Sequence, residues 1–246
     1  MSIAVEKLFL DDANQQTATG TVVAVNDRGG IILDKTIFYA TSGGQPGDSG
    51  TLTLVNGDTI EIATTVCGET KDELILVPAN SDNLPAVGDV VTMQLNWERR
   101  HRLMRMHSAL HLLCASVPYP VTGGQIGEFD SRLDFDMPES MDKEALSAEL
   151  NKLVEGNHPI STRWITDAQL EENPTLVRTM TVKPPMGSGK VRLVSIGEDD
   201  KVDLQPCGGT HVSNTGEIGS LEVYKIEKKG KQNRRVRVRL AGENAT

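Results

Sequence analysis

Two pairs of side chains limit what this chain can fold into more than any other feature. They are His107 and His111, in Met106-His107-Ser108-Ala109-Leu110-His111, and Cys207 and His211, in Pro206-Cys207-Gly208-Gly209-Thr210-His211. Members of each pair are four positions apart, about one helical turn, so the two imidazoles of a helical pair can face one point. A fold that uses both pairs must bring two distant segments together. Three imidazoles and one thiolate form a donor set that suits tetrahedral Zn²⁺ and not Mg²⁺ or Ca²⁺. The chain has five histidines, and three of them lie in these pairs, which favours one shared site over chance. Gly208 and Gly209 let backbone pass close to a bound ion.

Cys114 competes as the sulfur donor because it shares the histidine face of the helix. It lies about 7 Å along the axis from the midpoint of the histidine pair, at about 1.5 Å per residue. Cys207 is therefore the expected ligand, and Cys114 a small core residue.

The 246 residues can hold one large domain or two ordinary ones. Composition is that of a soluble globular protein, no apolar run approaches a membrane span, and the N-terminus has no leader pattern. Three scattered cysteines make no disulfide framework, so a reducing, cytoplasmic setting is expected. Net charge is −9, unevenly spread: residues 1–95 hold 13 acids and 4 bases, and residues 96–246 hold 21 of each. Residues 225–239 hold eight bases against the single acid Glu227, and Arg99, Arg100, Arg102 and Arg105 precede the first histidine pair. A polyanion can be attracted locally despite the global sign.

Up to about Asn96 the pattern is short strands broken by turns: 21–25 and 31–33 around Asp27-Arg28-Gly29-Gly30, 51–55 and 59–62 around Asn56-Gly57, then 74–77 and 90–95. This predicts a β-barrel domain over 1–95. From Trp97 to Ser116 there is no Gly or Pro, and Leu103, Met106, Leu110 and Leu113 recur at helical spacing. A second helix is expected from an N-cap at Ser140, and a short third from the Thr166–Gln169 capping box. Strands are expected at 131–135, 160–165, 190–196, 221–226 and 235–240. The fold class predicted is α+β: a small N-terminal barrel, then over 96–246 an antiparallel sheet with helices on one face.

Two familiar motifs are absent. A zincin helix needs His-Glu-x-x-His, and residue 108 is Ser, not Glu. Gly187-Ser188-Gly189-Lys190 lacks the Walker spacing, with Pro184 and Val191 at the key positions, so it reads as a turn before a strand and no ATP site is expected. Four glycines between Gly43 and Gly50 fit either a long turn at a barrel end or a loop that approaches a substrate closely. Arg235, Arg237 and Arg239 alternate with apolar residues, which places three guanidinium groups on one strand face, suited to phosphate contact.

His107-Ser108-Ala109-Leu110-His111, Pro206-Cys207-Gly208-Gly209-Thr210-His211-Val212 and Thr215-Gly216-Glu217-Ile218-Gly219 together resemble the editing domain shared by alanyl- and threonyl-tRNA synthetases. Residues 38–48, Phe38-Tyr39-Ala40-Thr41-Ser42-Gly43-Gly44-Gln45-Pro46-Gly47-Asp48, resemble the glycine-rich motif of the barrel that precedes that domain on the alanyl side. A chain of this length has no room for a synthetase catalytic domain, so the likeness is to free-standing alanyl-tRNA editing proteins of the AlaX type.

The resemblance implies zinc-assisted hydrolysis of serine, or glycine, from alanine tRNA, with one Zn²⁺ per chain on His107, His111, Cys207 and His211. It implies a role for Gln125 in the editing pocket, although the spelling around Val121-Thr122-Gly123-Gly124-Gln125 departs from the family's commonest form. Substrate contacts are expected from Gly43, Gly44, Gln45 and Thr210, and tRNA contacts from Arg235, Arg237 and Arg239. The partner expected is mischarged alanine tRNA at its acceptor end, with no membrane and no ATP. A non-catalytic, zinc-stabilised tRNA-binding module is the alternative, and a hydrolase of small esters a third reading.

Overall fold

In a computed structural model, residues 3–179 and 189–243 are described. The chain divides into two compact units, Met1–His101 and Arg102–Thr246, with the boundary inside a helix. No helix among the described residues is long and apolar enough to cross a membrane.

The first unit is built on β1 (Glu6–Lys7), β2 (Thr17–Val25), β3 (Ile31–Leu33), β4 (Lys35–Thr36), β5 (Gly50–Leu54), β6 (Thr59–Cys67), β7 (Leu74–Pro78) and β8 (Val90–Leu95). Six of these close an antiparallel barrel in the order β2-β3-β7-β6-β5-β8, while β1 pairs in parallel with β4. Closure follows from period-two patterning: in β8, Val91, Met93 and Leu95 point inward and Val90, Thr92 and Gln94 outward. The inward residues join Val22, Leu33, Phe38, Leu52 and Ile62 in the core. Both expected hairpin turns form, with Gly29 at φ 80° and Gly57 at φ 91°, a conformation that suits glycine.

Arg100 is 1 % exposed and fully engaged inside this unit. It pairs with the Asp48 carboxylate and donates to the carbonyls of Ala13 (3.0 Å) and Ile37 (2.7 Å). Asp48 also accepts the Tyr39 N–H at 2.6 Å. Arg99 donates to the Gly47 carbonyl at 2.7 Å. Two of the four arginines before the histidine pair thus serve the glycine-rich segment's structure, and Arg100 is not available to a polyanion. Removing one partner of such a buried pair costs about 3–5 kcal/mol.

The second unit takes in most of α1 (Trp97–Ser116), β9 (Val121–Gln125), β10 (Asp130–Asp136), α2 (Lys143–Glu155), β11 (Ile160–Thr166), α3 (Asp167–Glu172), β12 (Lys190–Ile196), β13 (Asp203–Pro206), β14 (Leu221–Lys228) and β15 (Asn233–Leu240). Its strands make two antiparallel sheets where the sequence suggested one: β14-β15-β10-β9 and β11-β12-β13. In the three-stranded sheet the central strand β12 is buried from Val191 to Ile196, while the edge strand β11 is largely exposed. Leu146, Leu150 and Val154 of α2 are buried, and α2 packs against β14. There Asn151 exchanges hydrogen bonds with the Leu221 backbone (2.7 and 2.9 Å) and Ser147 accepts from the Val223 N–H, covering an edge strand.

The N-cap of α2 is Asp142, not Ser140, because its carboxylate reaches the Ala145 N–H at 2.8 Å. The capping box at Thr166 and Gln169 forms as expected. Pro184 and the Gly187-Ser188 half of the expected turn lie outside the described residues; Gly189 takes φ 82° and Lys190 opens β12.

Candidate metal centre

His107, Ser108 and His111 sit on a stretch of α1 that is buried on every side, so their polar atoms must be satisfied within the protein. One turn separates the imidazoles, whose ring centroids are 5.4 Å apart. The segment leaving β13 brings the other pair to them: the ring of His211 lies 4.3 Å from that of His107 and 4.7 Å from that of His111. Cys207 Sγ is 3.4 Å from Nε2 of His107 and 3.4 Å from Nε2 of His211. One donor atom from each of the four residues lies within 4.8 Å of all the others.

The segment after β13 is held from several sides. Arg192, on the neighbouring β12, accepts the Cys207 N–H with its carbonyl (3.1 Å) and donates its guanidinium to the carbonyls of Cys207 (3.1 Å) and Gly209 (2.9 Å). The Gly209 N–H points at Cys207 Sγ, 3.4 Å away. Ser108 Oγ meets His211 Nδ1 at 3.2 Å and accepts the Val212 N–H at 3.3 Å, tying the segment to α1. Beyond it, Glu217 accepts the N–H groups of Ser213 and Asn214 (both 3.0 Å), which gives the Thr215-Gly216-Glu217 run a structural task. His111 Nδ1 is 2.8 Å from Asp203 Oδ2.

Burial alone would raise the Cys207 thiol, but the charges of His107 and His211 and hydrogen bonds from His107 and His111 draw it well below its ordinary value. Burial and the charge of His107 hold His211 well below the usual imidazole range, against the pull of Cys207. Burial opposes a charge on His111, yet hydrogen bonds to Asp203 and Cys207, with the charges of both, raise it to about 10. Cys114 is pushed up to about 11 by burial and the Asp203 charge. It stays outside the cluster, against Gln205 at 4.0 Å, as a small core residue would.

The donor set fits a tetrahedral ion. Metal–nitrogen bonds of about 2.0–2.1 Å and metal–sulfur bonds of about 2.3 Å space such donors about 3.3–3.6 Å apart, and two of the observed separations are 3.4 Å. The lowered Cys207 thiol and His211 imidazole are ready to donate to a divalent ion, whereas His111, raised to about 10, must release a proton to bind it.

The remaining expected site residues are not donors of the cluster. Gln125 ends β9 opposite Arg132; it is exposed and its amide has no partner among the described residues. Gly43 and Gly44 form the tip of a two-residue turn between Ser42 and Gln45, with φ of 56° and 86°, and are exposed. Gln45 and Thr210 are wholly buried.

The outward face of β15 is a lattice of pairs. Arg235 forks onto Asp134 with two bonds of 2.8 Å, Arg237 meets Glu227 at 2.6 Å, and Arg239 meets Glu222 at 2.8 Å. Glu227 is lowered to about 2, chiefly by its bond from Arg237. Lys228 and Lys231, exposed at the β14–β15 hairpin, have no carboxylate partner among the described residues.

Comparison with known proteins agrees with this geometry. Residues 191–237 match the threonyl and alanyl tRNA synthetase second additional domain, and residues 4–99 match the class II (A) tRNA synthetases. An alanyl-tRNA editing protein AlaX-M from Methanosarcina acetivorans is 32% identical over 241 residues, 94% of this chain and 97% of that one. The chain belongs to the AlaX-M family of alanyl-tRNA editing proteins. Another AlaX-M protein, from Saccharolobus solfataricus, is 30% identical over 94% of this chain and 97% of its own length. An alanine–tRNA ligase of Methanosphaera stadtmanae is 33% identical over 89% of this chain, which matches 25% of that enzyme.

In this AlaX-M member the sequence reading missed Asp203, Gln205 and Arg192 around the cluster. One signal was available: Asp203, Gln205 and Cys207 alternate, so in a strand they share a face. Arg192 left no local signal, because its partners are main-chain carbonyls.

Proposed function

We propose that this protein hydrolyses the ester joining a wrong amino acid, serine or glycine, to the terminal ribose of alanine tRNA, with one zinc ion per chain. The observation that carries the reading is the buried three-imidazole, one-thiol cluster, in a chain whose relatives over nearly its full length are alanyl-tRNA editing proteins. His107, His111, Cys207 and His211 would hold the ion, which supplies Lewis acidity toward an ester carbonyl or a water. An aminoacyl ester is already activated, so hydrolysis asks for little beyond a positioned water and a stabilised oxyanion.

Gln125 is the proposed group that positions the water or ester, supported by its exposed and unengaged amide. The Gly43-Gly44 tip offers bare backbone for close substrate approach, whereas Gln45 and Thr210 are buried, so substrate contacts there require local opening. For the tRNA backbone, Arg235, Arg237 and Arg239 must exchange carboxylates for phosphates, while Lys228 and Lys231 beside them need no exchange. No phosphate loop is legible in the sequence, in keeping with a reaction that needs no ATP. A site that hydrogen-bonds the serine hydroxyl leaves that group unpaired when alanine enters, which is the proposed source of selectivity.

One observation favours a second reading. Four protein donors close a tetrahedral ion, the usual form of a structural site, which a non-catalytic tRNA-binding module would also have. Deacylation of seryl-tRNA for alanine separates the two: the proposal expects multiple turnovers, the module none.

A further inference from the structure

Asp203 is 2 % exposed and lies on β13, whose alternation also directs Gln205 and then Cys207 to one side. Its Oδ2 receives two bonds, from His111 Nδ1 at 2.8 Å and from Gln205 Nε2 at 2.7 Å, and its Oδ1 is buried without a partner. No lysine or arginine pairs with it among the described residues; its one ionic contact is His111. A carboxylate this deeply buried is costly unless hydrogen-bond donors stand against it. Here those donors are the Gln205 amide and the imidazole of His111, which is also a member of the donor cluster. Packing alone would be served as well by an apolar side chain of similar size.

We propose that Asp203 is a positioning residue for the metal centre: it fixes His111 in the tautomer that carries the proton on Nδ1 and turns the Nε2 lone pair toward the other three donors. Gln205 holds the carboxylate in place by donating to the same oxygen that accepts the His111 Nδ1–H. The carboxylate also makes the imidazole a stronger donor, as outer carboxylates do for metal-bound histidines in general. The inference rests on the four donors being a metal site, and touches no substrate.

Zinc affinity by chelator competition tests it, together with the absorption spectrum of the Co²⁺-substituted protein and histidine ¹⁵N NMR. Asp203→Ala is expected to weaken zinc binding about 10- to 100-fold, to shift the Co²⁺ bands, and to lose the His111 Nδ1-bound proton signal. Asp203→Asn keeps an acceptor oxygen of the same shape and should recover most of that loss; circular dichroism confirms folding of both variants. Wild-type affinity and an unchanged Co²⁺ spectrum in Asp203→Ala would overturn the inference. So would an Asn variant as weak as the Ala variant, since the hydrogen bond would then not be what acts. A wild-type protein that binds no zinc breaks the metal reading itself. A zinc-bound wild type that spares seryl-tRNA breaks only the editing reading.

Discussion

At the histidine–cysteine cluster four donors converge, with Ser108 and Asp203 on the outer nitrogens of His211 and His111 and Arg192 on the Cys207 carbonyl, whereas on the outward face of β15 three arginines are each met by a carboxylate. Both regions drew attention in the sequence, and they differ in what remains to be bound. The cluster brings three imidazoles and a thiol within 4.8 Å of one another, a donor set that suits a cation. The arginine face is balanced by the fold itself, through the registers Asp134↔Arg235 and Glu227↔Arg235 and the diagonal reach of Arg237 to Glu227. Ligand convergence marks a site. A run of like charges marks one only after its cross-strand neighbours are counted.

The largest expected effect lies at the cluster. His107→Ala or Cys207→Ala should reduce bound zinc from about one per chain to near none by metal analysis, and lower seryl-tRNA hydrolysis by about 10³-fold or more. Full zinc occupancy in both variants would dissolve the contrast between the two regions. Next is Gln125→Ala, expected to lower hydrolysis by about 10²-fold with zinc content unchanged, the size of effect seen when one polar group at a reacting centre is removed. An unaltered rate would return Gln125 to the surface of the sheet.

The basic stretch allows a sharper contrast. Lys228→Gln with Lys231→Gln should reduce the slope of log affinity for tRNA against log salt by about 1.5, with Tm unchanged, since two phosphate contacts vanish and no internal pair is broken. Replacing Arg235, Arg237 and Arg239 by Gln should lower Tm as well as affinity, because Asp134, Glu227 and Glu222 lose their partners. If the arginine triple changes affinity alone, the ion-pair lattice does not exist in solution.

The smallest effect concerns Glu227. Its folded value of about 2 lies below the ordinary glutamate value, so its pairing is complete above the unfolded value and is lost as pH falls through the folded one. A side-chain titration by NMR should find Glu227 still ionised near pH 3.5, and a midpoint near 4.5 would contradict its bond to Arg237.

Much of the fold was legible because local periodicity determines it. α1 spans Trp97–Ser116, as its unbroken helical spacing predicts, and the barrel strands fall between the glycine turns that announce them. The four donors were legible because each pair is local, four residues apart, and only their meeting is long-range. β13 was not, since Asp203-Leu204-Gln205-Pro206 is short, half polar and ends in proline. With it went Asp203, whose partner His111 is 92 residues away. The cap of α2 was misplaced by two residues because Ser140 and Asp142 are both good caps, and only backbone geometry chooses between them. The carboxylates facing Arg235, Arg237 and Arg239 lie on β10 and β14, so their effect depends on strand register, which no linear reading of charge contains.

The most direct measurement is the hydrolysis of seryl-tRNA and alanyl-tRNA, both charged on alanine tRNA, by the zinc-loaded wild-type protein under identical conditions. The account predicts catalytic turnover of the seryl ester, with the alanyl ester spared by about 10²-fold or more. Equal hydrolysis of the two, or none of either by a protein that holds its zinc, would contradict it.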